Sequence, residues 1–273
     1  MCTVSWTPLA LPAPGGYGLA MNRDERRTRA PATPPERREL RGVPALLPRD
    51  GEAGGTWIAA NALGHTLALL NRWDESPVDA PPGNGGSGDQ GARFNPGPFV
   101  SRGLLVKDLA HTRDRREVDE ALTRIPLVSY RPFTLVSVSP GEVPWLFEWD
   151  GRALERAHVT EPGLVRTSSG ADQAGAERER GGLFREAARR SGGLTPEVLF
   201  ALHRSHRPEK GPLSICMHRE EAVTVSLSLI TVFPDRVTFR YVNGSPCEST
   251  EVTDVELARW PGSAGPAAGR EPR

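Results

Sequence analysis

The sequence predicts an α+β fold of layered antiparallel sheets with segregated helices. Strand-like and helix-like segments arrive in blocks: two hairpins, helices, a meander, more helices and a final meander. Blocks of this kind favour antiparallel sheets over a doubly wound parallel one. A length of 273 residues suits one large core or two tightly fused ones, because single cores reach about 200–250 residues. The 29 Gly and 26 Pro fall mostly in connections, which points to long loops rather than a collagen-like repeat.

Taken in order, Thr3–Thr7 and Gly18–Met21 read as strands joined by the turn-rich Pro12-Ala13-Pro14-Gly15-Gly16. Residues 26–55, with basic residues, a proline cluster and Asp50-Gly51, read as a loop excursion. Thr56–Asn61 and His65–Leu70 form a second hairpin around Ala62-Leu63-Gly64. Gly, Pro, Asp and Asn dominate 74–98, as in a flexible insertion. Val100, Leu104, Leu105 and Leu109 share one helical stripe, and Val118, Leu122 and Ile125 another.

Strands are expected at Phe133–Ser139, Trp145–Trp149 and Leu164–Thr167. A polar helix follows over Ala174–Arg190, then one with Thr195 as N-cap and Pro196 at its first position. Three closing strands are expected at Ser214–His218, Ala222–Phe233 and Arg236–Val242. Residues 1–260 are thus expected to form a single domain, with a disordered Gly/Ala/Pro tail over 261–273.

Basic and acidic residues balance at 34 each, which argues against nucleic-acid or anionic-membrane partners, since both need a basic face. No apolar stretch approaches the ~18 residues of a membrane span. The start, Met-Cys-Thr-Val-Ser-Trp, lacks the basic and apolar regions of a signal peptide. The three cysteines, Cys2, Cys216 and Cys247, are too few and too odd for a disulfide framework. A reduced, cytoplasmic protein is expected.

The chemistry begins at Cys2. Met before Cys is ordinarily removed, which would leave a thiol and a free α-amine on one residue. The amine titrates near ~7.7–8.0 and the thiol near ~8.5, so a modest push gives a thiolate at neutral pH. An N-terminal amine activating its own nucleophile is an established arrangement for threonine. By itself a Met-Cys start is weak, but three features strengthen it. The second strand ends in Met21-Asn22-Arg23-Asp24-Glu25, where polar groups are costly to bury unless paired. There Asp24 and Arg23 could hold the amine and orient the thiol. Gly54-Gly55-Thr56-Trp57 opens the second hairpin with backbone freedom suited to a pocket floor. Asn71 closes that hairpin, where its amide could donate to a developing oxyanion.

Read together, Met1-Cys2-Thr3, Asn22-Arg23-Asp24-Glu25, Gly54-Gly55-Thr56-Trp57, Leu70-Asn71 and Ser101-Arg102-Gly103 resemble, in order and spacing, the NRDE family of the transport-and-Golgi-organisation-2 type. The similarity is dense over residues 1–110 and thinner to about 245. That family in turn is similar to the cysteine N-terminal-nucleophile hydrolases, which include penicillin V acylase and bile-salt hydrolase. The resemblance implies a four-layer αββα sandwich of two antiparallel sheets. It implies Cys2 as nucleophile, Asp24 at the nucleophile's amine, Arg23 beside them and Asn71 in the oxyanion hole. Asn22, Gly55, Trp57, Ser169 and His218 are the expected substrate contacts. Where relatives carry Ser-Asn, this chain has Ser168-Ser169, and the late Arg of acylases matches Arg178, Arg180 or Arg185.

Two functions are therefore expected. The first is a hydrolase or acyltransferase acting on a small non-peptide amide or acyl compound without a cofactor. The second is a non-catalytic carrier that uses the same pocket for haem or acyl-coenzyme A. Cys216-Met217-His218 places Cys and His on one face of a strand. A structural zinc, however, needs four ligands, and only the sequence-distant Cys247 and His203 or His206 remain to complete a set. A buried Cys beside a pocket-lining His is the expectation, with no metal. Gly83–Gly88 lacks the Lys-Ser/Thr of a phosphate loop.

Overall fold

The computed structural model describes residues 2–10, 15–72, 99–207 and 209–260. Two antiparallel sheets form the interior. The first, of six strands, has the order β10-β1-β2-β11-β12-β13, and the second, of seven strands, runs β3 to β9 in sequence order. Their ranges are β1 Cys2–Pro8, β2 Tyr17–Arg26, β3 Thr33–Leu40, β4 Val43–Arg49, β5 Ile58–Asn61, β6 Thr66–Asn71, β7 Phe133–Val138, β8 Trp145–Trp149, β9 Leu154–His158, β10 Gly163–Ser168, β11 Ala222–Val232, β12 Arg236–Asn243 and β13 Val252–Ala258. The helices are α1 Arg102–Leu109, α2 Arg115–Arg124, α3 Gln173–Ser191 and α4 Pro196–His203.

Three apolar clusters stack these elements into α, β, β and α layers. Between the sheets lie Val4, Trp6, Leu19, Met21, Ile58, Leu70, Val136, Ile230 and Phe239. Leu105, Leu109, Val118 and Leu122 of α1 and α2 cover the outer face of the second sheet, on Leu67, Leu69 and Phe133. Leu183, Phe184 and Leu199 of α3 and α4 cover the outer face of the first, on Ala20, Leu227 and Leu229. The expected αββα sandwich is the observed fold.

Period-2 alternation assigns each β1 side chain a face. Cys2, Val4 and Trp6 point between the sheets, whereas Thr3 and Ser5 bond to side chains of β10, α3 and α4 and Thr7 donates to the Leu194 carbonyl between α3 and α4. Thr195 caps α4 as expected, accepting the Val198 N–H, and Asp114 caps α2 by accepting those of Arg116 and Glu117.

Four strands escape the sequence reading. The 26–55 excursion contains the hairpin β3–β4, closed by Arg41 and Gly42 at φ 49° and 80°, a two-residue turn whose twist matches the strands. Leu154–His158 and Val252–Ala258 are the others. β3, β9 and β13 are edge strands, and β4 lies just inside β3. An exposed edge tolerates Pro and charge that a central strand does not, which erases the apolar alternation. Ser214–His218, conversely, makes only a single bridge from His218 to Val223. The expected insertion over 74–98 and tail over 261–273 lie outside the described residues. Among the described residues no helix is long and apolar enough to cross a membrane.

Candidate active site

Cys2 opens β1, paired on one side with Arg23 of β2 and on the other with Ser168 of β10. Its nitrogen donates to Ser168 Oγ at 3.0 Å. Burial pushes the thiol above its usual value. The positive N-terminus, the Asp24 backbone N–H and the Arg23 charge pull it down, while the Asp24 carboxylate adds to the rise. The thiol is therefore not a spontaneous thiolate and needs a base beside it.

A cavity of about 150 Å3 opens onto Cys2, lined among others by Arg23, Asp24, Trp57, Asn71 and Arg102. Four separate stretches of sequence thus meet at one hollow. Asn71 reaches it from the end of β6 in the opposite sheet. Register explains Arg23: it lies opposite Cys2 and so shares its face. Its guanidinium sits 4.2 Å from the Trp57 ring centre, a cation–π contact, and bonds to Asp50. The Trp57 indole N–H is buried without a hydrogen-bond partner among the described residues.

Asp50, a residue the sequence reading passed over as a turn, is the hub of this wall. Both its oxygens accept from Arg29 at 2.9 Å, and the Ala53 N–H donates at 2.7 Å. Burial alone would raise its pKa, but these bonds and the Arg23 charge bring it down to about 2. Asp50 is therefore charged at every physiological pH and holds two guanidiniums at the rim. An Asp-Gly pair carries no signal for that role, since the arginines it collects lie more than twenty residues away in sequence.

Asp24 stands at the back of the cavity. A register shift in β11 between Thr224 and Ser226 is a bulge of the kind that re-aims a side chain, and Thr224 Oγ1 donates to Asp24 Oδ1 at 2.6 Å. Burial raises the carboxyl, against the Arg180 charge, the positive N-terminus and the Thr224 bond. Of the three candidates for a late arginine, Arg180 is the fully buried one. It donates to Thr3 Oγ1 and Thr167 Oγ1 at 2.6 Å each, and to the carbonyls of Leu213 and Pro212 at 3.3 Å each.

Four expected substrate contacts lie elsewhere. Asn22 pairs with Thr3 and so faces the helices. Its amide donates to the His203 and Ile215 carbonyls at 2.8 Å each, which leaves its oxygen for His203 Nδ1 at 3.1 Å. Gly55 is a packing point, because a Cβ there would stand 2.4 Å from the Gly103 carbonyl carbon. Ser101-Arg102-Gly103 thus docks α1 against the start of the second hairpin, with the Thr56 N–H on Gly103 O at 2.9 Å. Ser169 Oγ accepts from Asp172 N at 3.1 Å in the turn into α3, so its neighbour Ser168 is the one that meets Cys2. His218 does not line the cavity; it clusters with His206, Cys216 and Cys247.

Comparisons with known proteins bear on the family and the fold. Residues 1–148 match the family described as Transport and Golgi organisation 2. The chain belongs to that family. Among solved structures, a mutant of conjugated bile acid hydrolase from Clostridium perfringens superposes with TM-score 0.54 at 11% identity, covering 94% of this chain and 92% of that one. Penicillin V acylase from Agrobacterium tumefaciens gives TM-score 0.48 at 10% identity over 89% and 86%. At such identities the first likeness establishes the fold, the sandwich of N-terminal-nucleophile hydrolases, and nothing finer. No curated protein sequence matches the chain.

Proposed function

We propose that this member of the Transport and Golgi organisation 2 family is an N-terminal-cysteine hydrolase of the amidase type, acting on a small non-peptide amide or acyl compound. The observation that carries it is the meeting of Cys2 and Asn71, from opposite sheets, at one cavity. With Met1 removed, the Cys2 nitrogen becomes a free amine beside Ser168 and in the field of Asp24. The amine takes the thiol proton, and the thiolate attacks the substrate carbonyl. Asn71 donates to the resulting oxyanion. The amine returns the proton to the leaving nitrogen as the C–N bond breaks, leaving an acyl-cysteine. Water, deprotonated by the same amine, then releases the acid and regenerates the thiol. The size of the cavity favours a small acyl group, since drug-sized ligands occupy about 300–1,000 Å3.

The carrier reading has less support. Its haem arm needs His218 in the Cys2 pocket, and His218 lies in a different cluster. The test is intact-mass analysis of the purified chain, before and after incubation with a panel of acyl amides. Loss of Met1 and an acyl adduct confined to Cys2 are expected. Retention of Met1 would sink the mechanism, because the amine would stay locked in a peptide bond.

A further inference from the structure

The His218 cluster is not used by the Cys2 chemistry. His206 follows α4, Cys216 and His218 alternate along the stretch that bridges to Val223, and Cys247 sits in the turn after β12. One ligand atom from each of the four lies within 4.8 Å of all the others. His218 Nε2 stands 3.6 Å from Cys216 Sγ, 3.4 Å from Cys247 Sγ and 3.2 Å from His206 Nε2. A tetrahedral zinc with Zn–S of about 2.3 Å and Zn–N of about 2.0–2.1 Å spaces N and S about 3.5 Å apart, and two N about 3.3 Å apart. The three measured edges fit that tetrahedron. Hydrogen bonding does not account for them, because a ring nitrogen carries either one proton or one lone pair and so makes one such bond, not three. A cation at the centre accepts a lone pair from each ligand at once.

We propose that His206, Cys216, His218 and Cys247 bind a zinc ion in a closed tetrahedral site that fastens the segment behind the Cys2 strand. Two thiolates and two imidazoles are a donor set that zinc favours. All four positions come from protein, so the site is structural rather than catalytic. The ligand segment is held from outside as well. Cys216 N–H donates to Ser205 O at 3.0 Å and His218 N–H to Gly211 O at 3.1 Å, while Lys210 and Glu248 pair at 2.8 Å between the two ligand-bearing loops.

What the ion would secure is specific. Between His206 and His218 lie the Pro212 and Leu213 carbonyls that accept from Arg180, and the Ile215 carbonyl that accepts from Asn22. There too is the Met217 N–H, which donates at 2.8 Å to Thr224 Oγ1, the hydroxyl that holds Asp24. One clamped segment therefore satisfies the buried polar groups on the reverse side of the candidate nucleophile's strand. Because metal affinity and folding are coupled at such sites, zinc would stabilise that side.

The experiment is elemental analysis of the full chain, loaded with zinc under reducing conditions and desalted. One zinc per chain is expected. Cobalt(II) loading should give the intense visible bands of tetrahedral coordination and thiolate charge-transfer bands in the near ultraviolet. Cys247→Ser and His206→Gln should each weaken zinc retention by roughly tenfold or more, whereas Cys2→Ala should retain it fully. Wild-type chain that keeps no stoichiometric zinc, or that gives octahedral cobalt without charge transfer, would overturn the site even if both variants misfold. So would Cys247→Ser and His206→Gln chains that bind zinc as the wild type does.

Discussion

The cavity at Cys2 and the cluster at His218 are joined by hydrogen bonds that link Arg180, Asn22 and Thr224 to the segment that carries Cys216 and His218, yet they are built on opposite principles. Around Cys2 the polar groups are held apart by partners behind them. Asp50 pulls Arg23 and Arg29 to the rim, Thr224 takes an Asp24 oxygen, and the centre stays open. Around His218 one ligand atom from each of four residues lies within 4.8 Å of the others. A reactive site needs its groups kept available, and a structural metal site needs them spent. The same residue types, cysteine and a nitrogen base, therefore imply different chemistry according to what stands behind them.

The sharpest way to break this comparison is Cys2→Ala. Hydrolysis of any amide that labels the wild type should fall roughly 10³-fold or more, with zinc content unchanged; a parallel loss of zinc would show that the two regions are not independent. Next in size, Arg180→Met should lower stability by about 3–5 kcal/mol in urea unfolding, because it strips buried Asp24 of a compensating charge and orphans two carbonyls. Asn71→Ala should cost roughly 10²–10³ in kcat if its amide serves the oxyanion. Its melting temperature should move little, since Asn71 is only half-buried.

The smallest effect comes from buried histidines outside both regions. His65 bonds Thr112 O and Ser137 Oγ at 2.8 Å each, and burial lowers its pKa to about 4. Burial, aided by the Arg180 charge, lowers that of His203 to about 3. Both lie below the unfolded value near 6.5, so between those limits the unfolded chain binds more protons. Their stabilisation is complete above pH about 6.5 and drains away as pH falls toward 4 and below. His65→Gln should flatten that slope in denaturant titrations across pH 4–6.5. An unchanged slope would assign the acid sensitivity to other groups.

Much of the first region was legible because its parts are local. Cys2, Thr56-Trp57 and Asn71 each lie at a strand end or a turn, and Asn22-Arg23-Asp24-Glu25 occupies the second half of β2, where polar residues break the apolar period and draw notice. Asp50 was not legible, because an Asp-Gly turn looks alike whether or not two distant arginines close on it. Asn22 misled for a subtler reason. It stands between Met21 and Arg23, but strand parity turns it toward the helices, and a shared motif does not mean a shared face. The edge strands β3, β9 and β13 were hidden by the charge that keeps edges from pairing.

The sequence by itself determined layered antiparallel sheets with segregated helices and marked the polar residues near strand ends, because alternation, caps and turns are short-range and leave their mark within a few residues; the αββα sandwich followed from the family resemblance. Only the tertiary structure decided which buried arginine backs the site, and whether Cys216 and His218 have company. His206 and Cys247 are 41 positions apart in sequence. What brings them within 4.8 Å is the end of α4 and the turn after β12 converging near the start of β11. No local pattern encodes such a convergence, since it follows from the packing of whole elements.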